Sequence, residues 1–218
     1  MSKLKILSIA MGLCLSVLPQ TVLAEDSSPK GVVEAAVTSI VQILEQREDK
    51  TRLSEKDREG IRMSVDQRFD YEKMARGSLG SEWNDVSAEQ QVDFTTVFRQ
   101  LLERSYGNKL AGYKGQRIEY DDAEMKKDTR ATVLSHVIDS NKSTPVEYRL
   151  YQSDSGWKVY DIKIEGVSMV GTFRKDFKSI LDKDGFAGLL SQLKEKVEKM
   201  RAKDAADDQA ENKGELQG

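Results

Sequence analysis

The sequence predicts an α+β fold, with a curved four-stranded antiparallel sheet covered by helices. Three observations carry this. Apolar residues recur at helical spacing between Val32 and Tyr106, the period drops to two between Gln116 and Ile164, and helical spacing returns from Val170 to Val197. Helices, then strands joined by short connections, then helices again is the order of an α+β domain; parallel βα units would need longer crossovers.

The N-terminus stands outside that pattern. Met1-Ser2-Lys3-Leu4-Lys5 precedes an almost uncharged apolar run from Ile6 to Leu18. Two lysines ahead of a short apolar core are the layout of a secretory signal peptide. A membrane-spanning helix would need about 20 apolar residues. Pro19 ends the run, and Val22-Leu23-Ala24 places residues of the sizes signal peptidase accepts before Glu25. Cleavage is expected after Ala24, giving 1–24 as signal peptide, 25–201 as the domain and 202–218 as a disordered charged tail. Cys14 follows Leu13, where a lipoprotein signal requires a small residue, so lipidation is not expected. The remaining chain holds no thiol although export leads to an oxidising compartment, and its stability must come from a packed core.

Loss of the first 24 of 218 residues leaves 194, enough for one domain, and removes Lys3 and Lys5, moving the formal charge from −3 to about −5. A mildly acidic chain with interspersed charges argues against nucleic acid as a partner, because that binding is dominated by phosphate neutralisation. No second apolar stretch approaches spanning length, so the mature domain is expected to be soluble.

Within the domain, Val32, Val33, Ala36, Val37, Ile40, Val41 and Leu44 form one helical stripe that frays near Gln46. The charged stretch Arg47–Glu59 reads as a turn and a short helix. Phe69-Asp70 opens a segment through Ala75, with Gly77 and Gly80 as stop signals. Ser87 and Gln90 fit a capping box, and Phe94, Val97, Phe98, Leu101 and Leu102 follow on one face, predicting a helix over 88–106 with Gly107 as its end. Ile118 and Tyr120, then Arg130–Ile138, then Val146, Tyr148 and Leu150, then Trp157–Ile164 read as four strands, the last with Tyr160, Ile162 and Ile164 on one face. Ser153-Asp154-Ser155-Gly156 is a turn. Val170, Phe173, Phe177, Ile180 and Leu181 return to helix, broken at Asp184-Gly185 and resumed through Val197.

The residue types for catalysis are sparse. His136, the one histidine, falls mid-strand with no nucleophile suggested beside it. Gly166-Val167-Ser168-Met169-Val170-Gly171 resembles a nucleophile elbow but is one residue too long. Asp121 and Asp122 are adjacent, so a strand would point their carboxylates to opposite faces. Zinc-ligand spacing and phosphate-binding glycine loops are absent from the sequence. The expectation is a binding protein, with no enzyme activity, catalytic residue, metal or cofactor.

Phe69-Asp70, Met74-Ala75, Ser78-Leu79-Gly80 and Trp83 together resemble the opening pattern of the MlaC family, also called the toluene-tolerance auxiliary family. Gln90, Phe94, Phe98, Leu101, Leu102 and Tyr106 continue it, and Tyr148-Arg149-Leu150 with Trp157-Lys158-Val159-Tyr160-Asp161 resembles its strand region. Ile164-Glu165-Gly166-Val167-Ser168 running into Arg174 and Phe177 is the most specific part. One departure is Gly171-Thr172-Phe173, where the family usually has an Asn-Tyr pair after Val170.

The resemblance spans roughly Val32–Leu193. It implies a fold similar to the nuclear-transport-factor-2-like class, with an internal lipid pocket. It also implies a monomeric periplasmic phospholipid carrier working between an outer-membrane lipoprotein–porin complex and an inner-membrane ABC transporter with a lipid-binding hexamer, maintaining outer-membrane lipid asymmetry. The alternatives are an adaptor binding only proteins and a carrier of another apolar lipid such as a hopanoid. On this reading the lipid-binding wall is Phe98, Leu101, Leu102, Tyr148, Leu150, Tyr160, Ile162, Val167, Met169, Val170, Phe173 and Phe177.

Overall fold

Local capping chemistry sets most of the helix starts. The computed structural model describes residues 27–215, so the segment 1–24 read as a signal peptide lies outside the described residues. Helix α1 (Pro29–Gln46) begins with proline in its first turn and with Ser28 Oγ accepting from Gly31 N at 3.0 Å. Helix α2 (Glu55–Asp66) and helix α4 (Ala88–Ala111) both start with capping boxes, Ser54 with Asp57 and Ser87 with Gln90. Between them, Asp70 caps helix α3 (Tyr71–Leu79), accepting from Lys73 N at 2.8 Å. A 3-10 turn (Gly80–Asn84) buries Trp83 before α4 begins.

Strands β1 (Arg117–Tyr120), β2 (Glu124–Lys127), β3 (Arg130–Asp139), β4 (Lys142–Ser153), β5 (Gly156–Ile164) and β6 (Val167–Ser168) form one antiparallel sheet in the order β1-β3-β4-β5-β6. The sheet therefore has six strands where four were expected. The two additions are short: β2 pairs with one end of β3 while β1 pairs with the other, and β6 is a two-residue link. All four residues of β2 (Glu-Met-Lys-Lys) are exposed, so no apolar alternation announces it.

Helix α5 (Met169–Glu215) is two arms joined at Gly185, whose φ of 65° and ψ of −174° break the helix where Asp184-Gly185 was expected to. Its start is held from below. Ser168 Oγ accepts from Gly171 N at 2.9 Å and donates to Asp161 Oδ2 at 2.7 Å, while Asp161 Oδ1 accepts from Val170 N at 3.2 Å. Beyond Arg201 the helix runs on through a stretch expected to be a disordered tail. There the Asp204 carboxylate meets the guanidinium groups of Arg104 and Arg58. Helix α4 also outruns its expected end, because Gly107 is a packing site and not a stop. A Cβ there would collide with Arg58 Nη1.

Three apolar clusters hold these elements together. The largest joins α3, α4 and α5 through Met74, Leu79, Phe94, Phe98, Leu101, Phe177 and Leu189. A second packs Val33 of α1 onto Ala131, Val133, Leu150 and Val159 of the sheet. The third, Leu44, Leu53 and Ala111, closes the far end of α1 against the end of α4. Arg47, 3% exposed, braces that end by donating to the carbonyl oxygens of Asp49, Lys50, Ala111 and Tyr113.

Candidate functional site

Between the three clusters, where α1, α2 and α4 arch over the sheet, the side chains do not meet. They enclose a cavity of about 610 Å³, within the size range typical of small-molecule sites. Helix α1 contributes Val33, Ala36, Val37, Ile40, Val41 and Leu44; α2 contributes Ile61 and Val65; α4 contributes Leu102, Tyr106 and Leu110. Ile118, Val137, Val146, Tyr148, Val159, Ile162 and Ile164 form the sheet side, with Phe69, Met74 and Met169 at the closed end. Phe69 is fixed there by backbone pairing, since Asp70 N donates to Val159 O at 2.9 Å and Val159 N donates to Arg68 O at 2.8 Å.

The exposed residues among the lining are Lys109, Gly112, Asp139 and Lys142, which places the mouth between the end of α4 and the β3–β4 hairpin. The rim is polar and cross-tied. Gln116 Nε2 donates to Asp139 Oδ2 at 3.2 Å, and Lys142 Nζ lies 3.1 Å from Glu165. Lys109 Nζ sits 5.1 Å above the Tyr106 ring.

Polar groups also reach the cavity between α2 and α4. Arg62 Nε lies 3.4 Å from Glu103 Oε1, and Arg99, which bridges to Asp66 at 3.3 Å, lies 3.8 Å from the same Glu103 oxygen. Burial raises the Glu103 pKa against the pull of Arg62 and Arg99. It also pushes the Tyr71, Tyr106 and Tyr148 hydroxyls upward, so these phenols stay neutral at physiological pH.

Of the twelve residues expected at a lipid wall, Leu102, Tyr148, Ile162 and Met169 line the cavity. The other eight lie elsewhere. Phe98, Leu101, Val170, Phe173 and Phe177 fill the contact among α3, α4 and α5, with the Phe98 and Phe173 rings edge to face at 5.3 Å. Leu150 is fully buried under α1, and Val167 is 62% exposed on β6. Tyr160 is displaced by a β-bulge. Leu150 pairs with Val159 and Arg149 with Asp161, so Tyr160 is the extra residue and turns toward Tyr151, 6.1 Å between rings.

The wall that sequence reasoning missed is α1. Its stripe was legible, but Val37, Ile40 and Val41 are only half-buried, wider than the sheet contact needs. That surplus width was the available signal. Elsewhere, Ser168 is a helix cap, and His136 Nε2 lies 3.4 Å from Asp121 on the sheet surface. Among the described residues, no group of three or more His, Cys, Asp or Glu side chains is placed to hold a metal. No helix among them is long and apolar enough to cross a membrane.

A curved antiparallel sheet roofed by helices around an apolar cavity with a polar mouth defines a cavity-bearing α+β binding domain. The chain belongs to the MlaC family: the family model, described as "MlaC protein", matches residues 34–195. It is 30% identical over 122 residues to the intermembrane phospholipid transport system binding protein MlaC of Haemophilus influenzae, covering 54% of this chain and 57% of that one. It is 32% identical over 120 residues to the toluene tolerance protein ttg2D of Pseudomonas putida, covering 50% of this chain and 56% of that one. The matched segment thus spans little more than half the length of these curated relatives. Among solved structures, the fold is similar to a phospholipid-binding protein from Ralstonia solanacearum in complex with a phospholipid. The TM-score is 0.73 at 26% identity, covering 79% of this chain and 98% of that one.

Proposed function

We propose that this protein is a periplasmic phospholipid carrier that moves lipid between an outer-membrane lipoprotein–porin complex and an inner-membrane ABC transporter with a lipid-binding hexamer, maintaining outer-membrane lipid asymmetry. The observation that carries the reading is the cavity of about 610 Å³, apolar within and polar at its mouth. Each methylene taken out of water is worth about 0.8 kcal/mol, so two tails of roughly 30 methylenes represent on the order of 20 kcal/mol. A carrier must shelter most of that to take a lipid from a membrane, and an apolar interior of this size supports the reading. The polar mouth leaves a headgroup in water beside Lys109 and Lys142. Release requires a partner that binds the emptied or opened form better than the loaded one. The relative named for phospholipid transport, the phospholipid-bound neighbour and the signal-peptide layout of residues 1–24 support the same role and compartment.

The test is organic extraction of the folded, purified protein followed by mass spectrometry. Stoichiometric phospholipid is the expected result. A hopanoid or another apolar lipid would change the cargo, and an extract without lipid would leave an adaptor whose cavity serves nothing.

A further inference from the structure

The line where α2 meets α4 is bridged by charge. Asp66 pairs with Arg99 at 3.3 Å, Arg62 with Glu103 at 3.4 Å and Glu55 with Arg104 at 3.5 Å, in order along the two helices. At the Arg104 end, Asp204 of α5 lies across the seam and meets both Arg58 of α2 and Arg104 of α4. The seam is also a wall of the cavity, lined by Arg58, Arg62 and Val65 on one side and by Leu102, Glu103 and Gly107 on the other.

This closure seals the wall without holding it tightly. Six buried side-chain polar atoms lack a hydrogen-bond partner among the described residues. All but Arg47 Nη1 belong to the seam: Arg58 Nε and Nη1, Arg62 Nε, Asp66 Oδ1 and Glu103 Oε1. Parting the helices returns these groups to water and recovers the hydration that closure removes. On its other side α2 lies close against α1, where a Cβ at Gly60 would stand 3.3 Å from Ile43 Cδ1. Its two ends are tied, since Leu53 packs with Leu44 and Ala111, and the backbone of Arg68 and Asp70 pairs with Val159. Those ties let the seam part and close again in register.

Helix α2 has 12 residues. That is about 18 Å at 1.5 Å per residue, and the acyl chains of one leaflet span about 15 Å. We infer that the α2–α4 seam is a lateral gate, through which acyl chains leave the cavity sideways when its ion pairs part, instead of being drawn lengthwise through the mouth. The inference rests on the carrier reading and adds to it the route its cargo takes.

The experiment loads the full-length mature protein with pyrene-labelled phosphatidylglycerol and follows transfer to vesicles of dioleoyl phosphatidylcholine. These vesicles carry no net charge, so salt acts on the protein. The rate follows the fraction of open gates, so Asp66→Asn should raise it about threefold, the scale of one partly exposed ion pair. Raising salt from about 0.05 M to about 0.5 M should also speed transfer. Phe98→Ala, which loosens the core among α3, α4 and α5, should leave the rate of the folded protein unchanged. The double variant Arg62→Cys, Glu103→Cys places two thiols across the seam. Unreacted, it should transfer faster than wild type; joined by a short bis-maleimide after loading, it should lose transfer. Asp66→Asn and the salt series decide alone if the double variant does not fold. A tied protein that transfers at the untied rate sends the lipid through the mouth and overturns the gate. So does a rate indifferent to Asp66→Asn or to salt, or an equal acceleration in Phe98→Ala. A wild type that takes up no phospholipid overturns the carrier reading and the gate with it.

Discussion

Asp161 and Ser168 form one polar joint under the first turn of α5: Ser168 Oγ donates to Asp161 Oδ2 at 2.7 Å, and both side chains accept from backbone N–H groups of the helix. Asp161 is 4% exposed, and Arg149 Nη1 lies 3.6 Å from it, so the carboxylate is compensated on the sheet side as well. This joint fixes Met169 at the closed end of the cavity. Asp161→Ala should lower the free energy of unfolding by about 2 kcal/mol, because it removes a cap and strands the buried Val170 N–H. Urea unfolding checks it; an unchanged midpoint would mean that the helix start is held by packing alone.

The cavity wall and the helix core should answer differently to substitution. Ile40 faces the cavity and is half-buried, so Ile40→Asp should remove co-purifying lipid while a cooperative unfolding transition remains. Retention of lipid at wild-type stoichiometry in a folded Ile40→Asp protein would move the binding site elsewhere.

Phe98 is 0% exposed and contacts the rings of Phe94, Phe173 and Phe177, away from the cavity. Phe98→Ala should cost about 3–5 kcal/mol of stability, the usual range for emptying a buried aromatic site. Under conditions where the variant remains folded, its lipid content should match the wild type. Loss of lipid from a folded Phe98→Ala protein would falsify the separation of core from cavity.

This separation explains how much could be read from the chain. Capping pairs such as Ser87 with Gln90, and the breaker Gly185, act within a few residues, so their effect is written locally. The wall is not local. On α4, Leu101 and Leu102 are adjacent, about 100° apart, and both pack in the helix core, yet of the two only Leu102 also lines the cavity. Periodicity shows that both are apolar; it does not show which neighbour each one faces. Tyr160 was misplaced for a related reason, because strict alternation holds only until a bulge adds a residue. Gly107 looked like a helix stop because its real partner, Arg58, lies far away in sequence.

Glu103 gives the fold a pH signature. Burial raises its folded-state pKa above the ordinary 4.5, while Arg62, Arg99 and Arg104 pull it down and Asp66 adds to the rise. Folding therefore favours the protonated form. That contribution is fully present below the unfolded value and is lost as pH rises through the folded value. Glu103→Gln should accordingly gain stability relative to wild type as pH rises from 4 to 7. Thermal melts at several pH values test the sign, and a gain confined to acid pH would contradict it.

The last arm of α5 extends past residue 195, where the family match ends, and its anchor is Asp204. Arg104 and Arg58 are 9% and 8% exposed, so the carboxylate compensates two largely buried guanidinium groups at once. Asp204 itself keeps 22% side-chain exposure, which weakens each pairing through solvent screening. Truncation after Arg201 removes that compensation and leaves Arg104 with Glu55, which is 58% exposed, as its remaining carboxylate partner among the described residues. The expected cost is about 1–3 kcal/mol, below the range for a fully buried pair. Asp204→Asn in the full chain should reproduce most of it, because the amide keeps the shape and loses the charge. A truncated protein as stable as the full chain would show that the arm rests on the surface without holding it. A truncation that destabilises while Asp204→Asn does not would place the anchor in the packing of the arm and not in this carboxylate.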